Sequence, residues 1–275
     1  MSIDHTYHLV ICGSVVPDPL QSLEPVVTQG KPGLKNELML PMVLDPFVNH
    51  SLNEAAKLRE ATKDTQVHLV AVGPKAKLQQ LMMVLAQKTA FNLVAVDAPA
   101  GGFIDSHTVA AALAEAIKAI PGLDLQKTLV FGGWSSASRA SGTTLQLVGE
   151  KLGITEQFFG VDRLTPAADG GFTVLERVEA GQHLETQVAG APAVIGWATG
   201  ELPELPNNPK IGMMNMAKIM PAIGKAKAVD LASAGFSVVD TALPAEKRQT
   251  RVVKDMPAAA VAAEIKEWIA SGKAG

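Results

Sequence analysis

At 275 residues with 47% hydrophobic content, the chain is long enough to bury a full core, and one large domain with an extension is the expectation. Its formal net charge of −3 is spread without long runs of one sign, which excludes a general attraction to nucleic acid or to a membrane surface. No apolar run reaches the roughly 18 to 20 residues of a membrane helix, Cys12 is the only cysteine, and MSIDHTYHLVICG shows no basic region followed by a long apolar segment. A cytoplasmic protein without membrane insertion and without a disulfide framework is expected. The histidines are scattered, none at ligand spacing with another, so no metal site is assigned.

In chain order, His8 to Cys12 (HLVIC) reads as the first strand, with Gly13-Ser14 where the chain leaves the sheet. Pro17 to Pro41 holds five prolines and is expected to be an extended excursion with at most one short ribbon. Ser51-Leu52-Asn53-Glu54 has the form of a capping box, predicting a helix from there to about Lys63. Val67 to Val72 is the second strand, and Pro74 is placed to open a helix through about Lys88. Asn92 to Val96 gives another strand. After glycines 101 and 102, Val109, Leu113, Ala116, Ile117 and Ile120 keep helical spacing behind a cap at Asp105 or Ser106.

The chain is organised around the next stretch, TLVFGGWSSASRASGTTLQLV from Thr128 to Val148. Thr128 to Phe131 reads as a buried parallel strand, Gly132-Gly133 as a turn at its carboxyl end, and the small residues that follow as a loop opening a helix. Ser135, Ser136, Ser138, Ser141, Gly142, Thr143 and Thr144 place hydroxyls and free amides where an open α/β sheet binds ligands, and a helix N-terminus there suits a phosphate. The alternative is a capped connection without a ligand, since these are also ordinary turn residues. The stretch is not a P-loop, because no Lys follows the glycines.

Strands alternating with helices predict a parallel, Rossmann-like sheet covered on both faces. After Gly153 the pattern changes: segments around Val161–Leu164, Phe172–Val178 and Leu184–Val188 read as an antiparallel meander, with Asp169-Gly170 as a hairpin turn. Pro192 to Trp197 should return to the central sheet, whereas the prolines between Glu201 and Lys210 exclude a strand or stable helix across that span. Met213, Met214, Asn215 and Met216 then stand at a loop edge, as an adaptable docking surface or as core gap-fillers. A charged stretch from Thr241 to Met256 leads to a last helix, Ala258 to Ala270, with Val261, Ile265 and Ile269 on one face. Residues 1–235 are read as the nucleotide-binding domain, with the docking loop at about 205–222, and 236–275 as an arm with a terminal helix.

This order of features resembles the beta subunit of electron-transfer flavoprotein over nearly the whole chain. HLVICGSVVPDP is similar to the family's opening strand, and LDPFVNHSLNEAAKLREA to its Asn-Pro-Phe element and following helix, with Asp45 replacing the Asn. FGGWSSASRASGTTLQLV stands at the adenine-nucleotide loop, although Ala137, Ser138 and Arg139 replace an acidic run. ERVEAGQHLETQVAGAPAVIGWATGELPELPNNPKIGMMNMAKIM follows the remaining strands, an Asn-x-Pro-Arg-Tyr element in which Lys210 and Ile211 replace Arg and Tyr, and the partner loop.

The resemblance implies a heterodimer with an alpha subunit that holds most of the electron-carrying FAD and receives the C-terminal arm, while this chain binds AMP structurally. It implies AMP contacts from Ile11, Cys12, Gly13, Asp45, Pro46, Phe47, Val48 and Val72 and from the loop residues Trp134, Ser135, Ser136, Ser138, Arg139, Ser141, Gly142, Thr143 and Thr144. Met213 to Met216 would dock acyl-CoA or methylated-amine type dehydrogenases, with Met214 as the anchor, and a membrane quinone oxidoreductase is a further implied partner. Three other readings stay open: a bifurcating-type subunit with a second FAD in place of AMP, a nucleotide-binding sensor, and an ATP-using enzyme of the same fold. The last would need a pyrophosphate loop after the first strand, which Cys12-Gly13-Ser14-Val15-Val16 lacks. No nucleophile, base and acid set appears, so no catalytic residue is assigned and an electron carrier without catalysis of its own is expected.

Overall fold

The computed structural model describes residues 6–99, 103–198, 204–231, 240, 242–243, 245 and 250–272. The chain divides into two compact units, Met1–Thr241 and Ala242–Gly275. The first unit begins with strand β1 (His8–Pro17), a ribbon of β2 (Pro25–Thr28) and β3 (Lys31–Leu34), and β4 (Met42–Leu44). Helix α1 (Pro46–Ala61), β5 (Gln66–Gly73), α2 (Lys75–Leu85), β6 (Asn92–Asp97), α3 (Ser106–Lys118), β7 (Thr128–Gly133) and α4 (Thr144–Leu152) follow in strict alternation. Next come β8 (Gln157–Pro166), β9 (Phe172–Arg177), β10 (His183–Val188), β11 (Ala193–Trp197) and α5 (Pro209–Lys225). The second unit contains α6 (Ala258–Ala270).

The main sheet runs β10-β9-β8-β11-β7-β1-β5-β6, with β4 paired to β1 off this path. From β8 through β11, β7, β1 and β5 to β6 the pairs are parallel, and β8, β9 and β10 form the antiparallel meander. Cover on both faces by the two cores explains why these strands read as unbroken apolar runs. Period two then sorts their side chains between the faces. Leu9 and Ile11 join the core beneath α1 and α2 with Leu69, Leu129, Phe131 and Trp197. Val10 and Cys12 join the other core with Val70, Val130, Val109 and Leu113 under α3 and α4.

The connections decide where a crevice opens. From β1 the chain moves outward through β5 and β6, then crosses back through α3 to place β7 on the other side of β1. The strand order therefore reverses between β1 and β7, and the crevice lies beyond their carboxyl ends.

Several boundaries differ from the sequence reading. The first strand does not leave the sheet at Gly13 but continues to Pro17, because Val15, Val16 and Pro17 pair with Leu44, Val43 and Met42 of β4. Gly132 and Gly133 are likewise the end of β7 rather than a turn, paired with Gly196 and Trp197. Helix α1 starts at Pro46, one and a half turns before the supposed capping box. Asp45 caps it by accepting the Phe47 amide, and Pro46 fits the first helical position, where no amide is needed. Ser51 is inside the helix, its hydroxyl donating back to the Phe47 carbonyl at 2.8 Å. The cap at Asp105 holds, and the last helix spans Ala258–Ala270 behind Pro257. Glycines 101 and 102 and part of the arm after Thr241 lie outside the described residues.

Candidate functional site

A narrow cleft opens at the β1/β7 reversal, with a void of about 50 Å3. Its floor is Cys12, Gly13 and Ser14 from the middle of β1. One wall is Asp45 and Val48 at the start of α1, and the other is the loop from Ser135 to Thr144 that enters α4. The two glycines at its base let α1 approach. A Cβ on Gly13 would lie 2.2 Å from Val48 Cγ2, and one on Gly133 would lie 2.4 Å from Phe47 Cβ. Any side chain there would drive the helix out of the cleft, so the small-residue strand end serves packing first.

Asp45 ties the two walls together. Its Oδ1 accepts from the Phe47 amide at 3.1 Å and its Oδ2 from the Ala137 amide at 2.8 Å. Burial pushes the Asp45 carboxyl up, while those two amides and the nearby Arg139 charge pull it back down.

Arg139 is the cation of the site. Its Nη1 donates to the Ile104 carbonyl and its Nη2 to Thr144 Oγ1, both at 3.2 Å, but its Nε is buried with no partner among the described residues. Burial lowers the guanidinium below its ordinary range, and Asp45 and Asp105 oppose that. Next to it, the N-terminus of α4 has no side-chain cap, because the Thr143 hydroxyl turns to Ser141 Oγ at 3.3 Å. Ser141 Oγ is in turn 3.1 Å from Ser106 Oγ at the start of α3. An orphaned guanidinium donor and an uncapped helix N-terminus thus lie beside a set of hydroxyls, donors of the kind a phosphate dianion accepts from.

The structure thus brings together Cys12, Gly13, Asp45, Val48, Ser135, Ser136, Ser138, Arg139, Ser141, Gly142, Thr143 and Thr144 from the sequence reading. Ile11 does not line the cleft: it is fully buried in the core on the α1 face. Val72 is buried in the opposite core, and Pro46 and Phe47 support the wall rather than line it. Trp134 is 42% exposed, its ring against Gly160 on β8 and its amide bonded to the Trp197 carbonyl. Sequence reasoning missed Ser14, Gly133, Leu113 and Leu145. Ser14 and Gly133 sat inside quoted motifs, but nothing local marks Leu113 of α3 as reaching a cleft formed by other strands.

The methionine segment differs more. It is a helix, not a loop, since Pro209 occupies its first turn and Asn208 Oδ1 caps it by accepting from the Lys210 and Ile211 amides. Gly212, Asn215, Ile219 and Ile223 form its buried stripe. Met213 and Met214 are 77% and 75% exposed, whereas Met216 packs against the core. Asn215 is 4% exposed, and its Nδ2 donates to the Ala86 and Thr89 carbonyls at 2.8 and 2.7 Å. It therefore does not belong to an outward-facing set. The described residues contain no helix long and apolar enough to cross a membrane.

Curated proteins offer no match to the chain. A family model described as "Electron transfer flavoprotein domain" matches residues 36–234, which takes in the sheet from β4 to β11 and helix α5. With more than two-thirds of its length inside that match, the chain belongs to the electron transfer flavoprotein domain family, whose business is flavin-linked electron transfer.

Proposed function

We propose that the chain is the beta-type subunit of an electron-transfer flavoprotein, holding AMP in the β1/β7 cleft and pairing with an alpha subunit that carries most of the FAD. The observation that carries the nucleotide reading is the Arg139 Nε, buried and unpartnered beside the uncapped start of α4. In this reading Arg139 and the first amides of α4 receive the phosphate, and Ser141, Thr143 and Thr144 donate hydroxyls to it. Asp45, bonded at once to α1 and to the loop, keeps the two walls at fixed spacing. FAD, when bound in the heterodimer, supplies the electron chemistry, and this chain contributes binding and docking surface. Met213 and Met214 are presented on a rigid helix for contact with acyl-CoA or methylated-amine type dehydrogenases.

Mass spectrometry of the denatured heterodimer tests this. One AMP and one FAD per heterodimer are expected, and Arg139→Gln should lower AMP retention about tenfold or more, the loss of a charge-assisted contact, while FAD content stays unchanged. Two FAD and no AMP would replace this reading with the bifurcating type, and a colourless complex without flavin would leave a nucleotide sensor.

A further inference from the structure

Away from the nucleotide cleft, a second recess of about 560 Å3 opens between α1 and the β8-β9-β10 meander. Lys57 of α1, Arg163 of β8, Arg177 of β9 and His183 of β10 line it, together with the carboxyl groups of Glu54 and Asp162. In a chain of net charge −3, basic groups from four separate elements converging on one hollow stand against the background. Asp162 is committed: its Oδ2 lies 2.8 Å from Arg177 Nε and 2.9 Å from His183 Nε2. Burial would raise its pKa, but those two contacts hold it below the ordinary carboxylate range.

The other cations are not so committed. Arg163 is exposed, and its side chain has no hydrogen bond or ion pair among the described residues. The nearest carboxylate to Lys57 is Glu54 Oε2 at 3.9 Å, too far for a hydrogen bond. Glu54 itself is 5% exposed, with Oε1 3.6 Å from His50 Nε2. Its carboxyl is pushed up to about 7 by burial, with Lys57 opposing. The His50 imidazole is held below its ordinary pKa, first by burial and then by Lys57 and Arg177, with Asp162 opposing.

We propose that this recess is an oxyanion site, separate from the nucleotide cleft, which takes the phosphate, sulfate or carboxylate head of a small metabolite between Lys57 and Arg163. Asp162 keeps Arg177 and His183 in place around it, and the pocket size suits a small ligand. The inner wall then responds to the ligand. An ionised Glu54 would repel an anion, whereas the neutral acid can donate a hydrogen bond to it, so binding and protonation of Glu54 favour each other.

The test is calorimetric titration of the full-length chain with sulfate, whose charge does not change near neutrality, in the presence of saturating AMP. Saturable binding is expected, tighter by about tenfold at about pH 6 than at about pH 8, as a Glu54 pKa of about 7 requires. Arg163→Gln and Lys57→Gln, both solvent-facing changes, should each weaken sulfate binding by about tenfold and leave the melting temperature and AMP binding unchanged. Glu54→Gln should keep the binding and abolish its pH dependence. No saturable sulfate binding, or binding indifferent to Arg163→Gln and Lys57→Gln, would overturn the site. A pH dependence that survives in Glu54→Gln would overturn the role given to Glu54. Because AMP occupancy is read separately, a failure here is distinct from a failure of the nucleotide reading.

Discussion

Substituting Asn215 and Met214 separately tests whether α5 is a latch, a docking face, or both on opposite sides. The Asn215 amide donates to two carbonyls, those of Ala86 and Thr89, in a place that is 4% exposed. Arg59 holds the same loop from the other side through Nη2 and Thr89 Oγ1 at 2.9 Å. In Asn215→Ala both carbonyls lose a partner that water cannot readily replace, and at about 1 to 3 kcal/mol for each stranded group the loss is about 2 to 6 kcal/mol. For a unit of this size that lowers the melting temperature by about 4 to 24 °C. Met214, 75% exposed, has little to lose in the free protein, and Met214→Ala should stay within about 0.5 kcal/mol of the parent. Its effect belongs to docking, where loss of a buried anchor weakens association by about 1 to 3 kcal/mol. A thermal melt and steady-state electron transfer from a dehydrogenase, with carrier concentration varied, separate the two. The reasoning fails if Asn215→Ala melts within a degree of the parent while its apparent affinity for the dehydrogenase collapses. It fails equally if Met214→Ala lowers the melting temperature by several degrees.

Asp45→Ala removes both the α1 cap and the acceptor for the Ala137 amide; chemical denaturation should show a loss of about 1 to 3 kcal/mol. Asp45→Asn, which keeps one acceptor, should lose less; equal losses would mean that the contact the Asn oxygen keeps contributes nothing. Stability should also fall as pH rises through about 7, because Glu54 is more easily protonated folded than unfolded, where its value is about 4.5. The shift bounds this contribution at about 3 kcal/mol, fully present below the unfolded value and lost above the folded one. Urea unfolding at about pH 5.5 and about pH 8.5 should show that fall in the parent and a flatter response in Glu54→Gln, and parallel curves would refute it.

Local signals in the sequence determined the alternation of strands and helices, the antiparallel meander after Gly153 and the terminal helix behind Pro257, because period, proline placement and turn glycines act over a few residues. The loop from Ser135 to Thr144 was legible as a wall of the cleft for the same reason: small residues at a strand end before a helix mean free amides whatever the rest of the chain does. Where α1 starts was not legible, since both Asp45 and Ser51 could cap a helix. The choice went to Asp45, whose second oxygen reaches the Ala137 amide 92 residues away. Nor could spacing divide Met213 to Met216 into exposed methionines and a buried Asn215, because the side α5 turns inward depends on carbonyls at Ala86 and Thr89. The charged recess between α1 and the meander belongs to the same class. Lys57, Arg163, Arg177 and His183 are unremarkable surface residues in the chain and become neighbours only when β8 pairs with β11 and the meander folds alongside α1. Sequence sets what each segment prefers within a turn or a strand, and the sheet order decides which distant segments share a wall, because strand pairing joins residues that no local period relates.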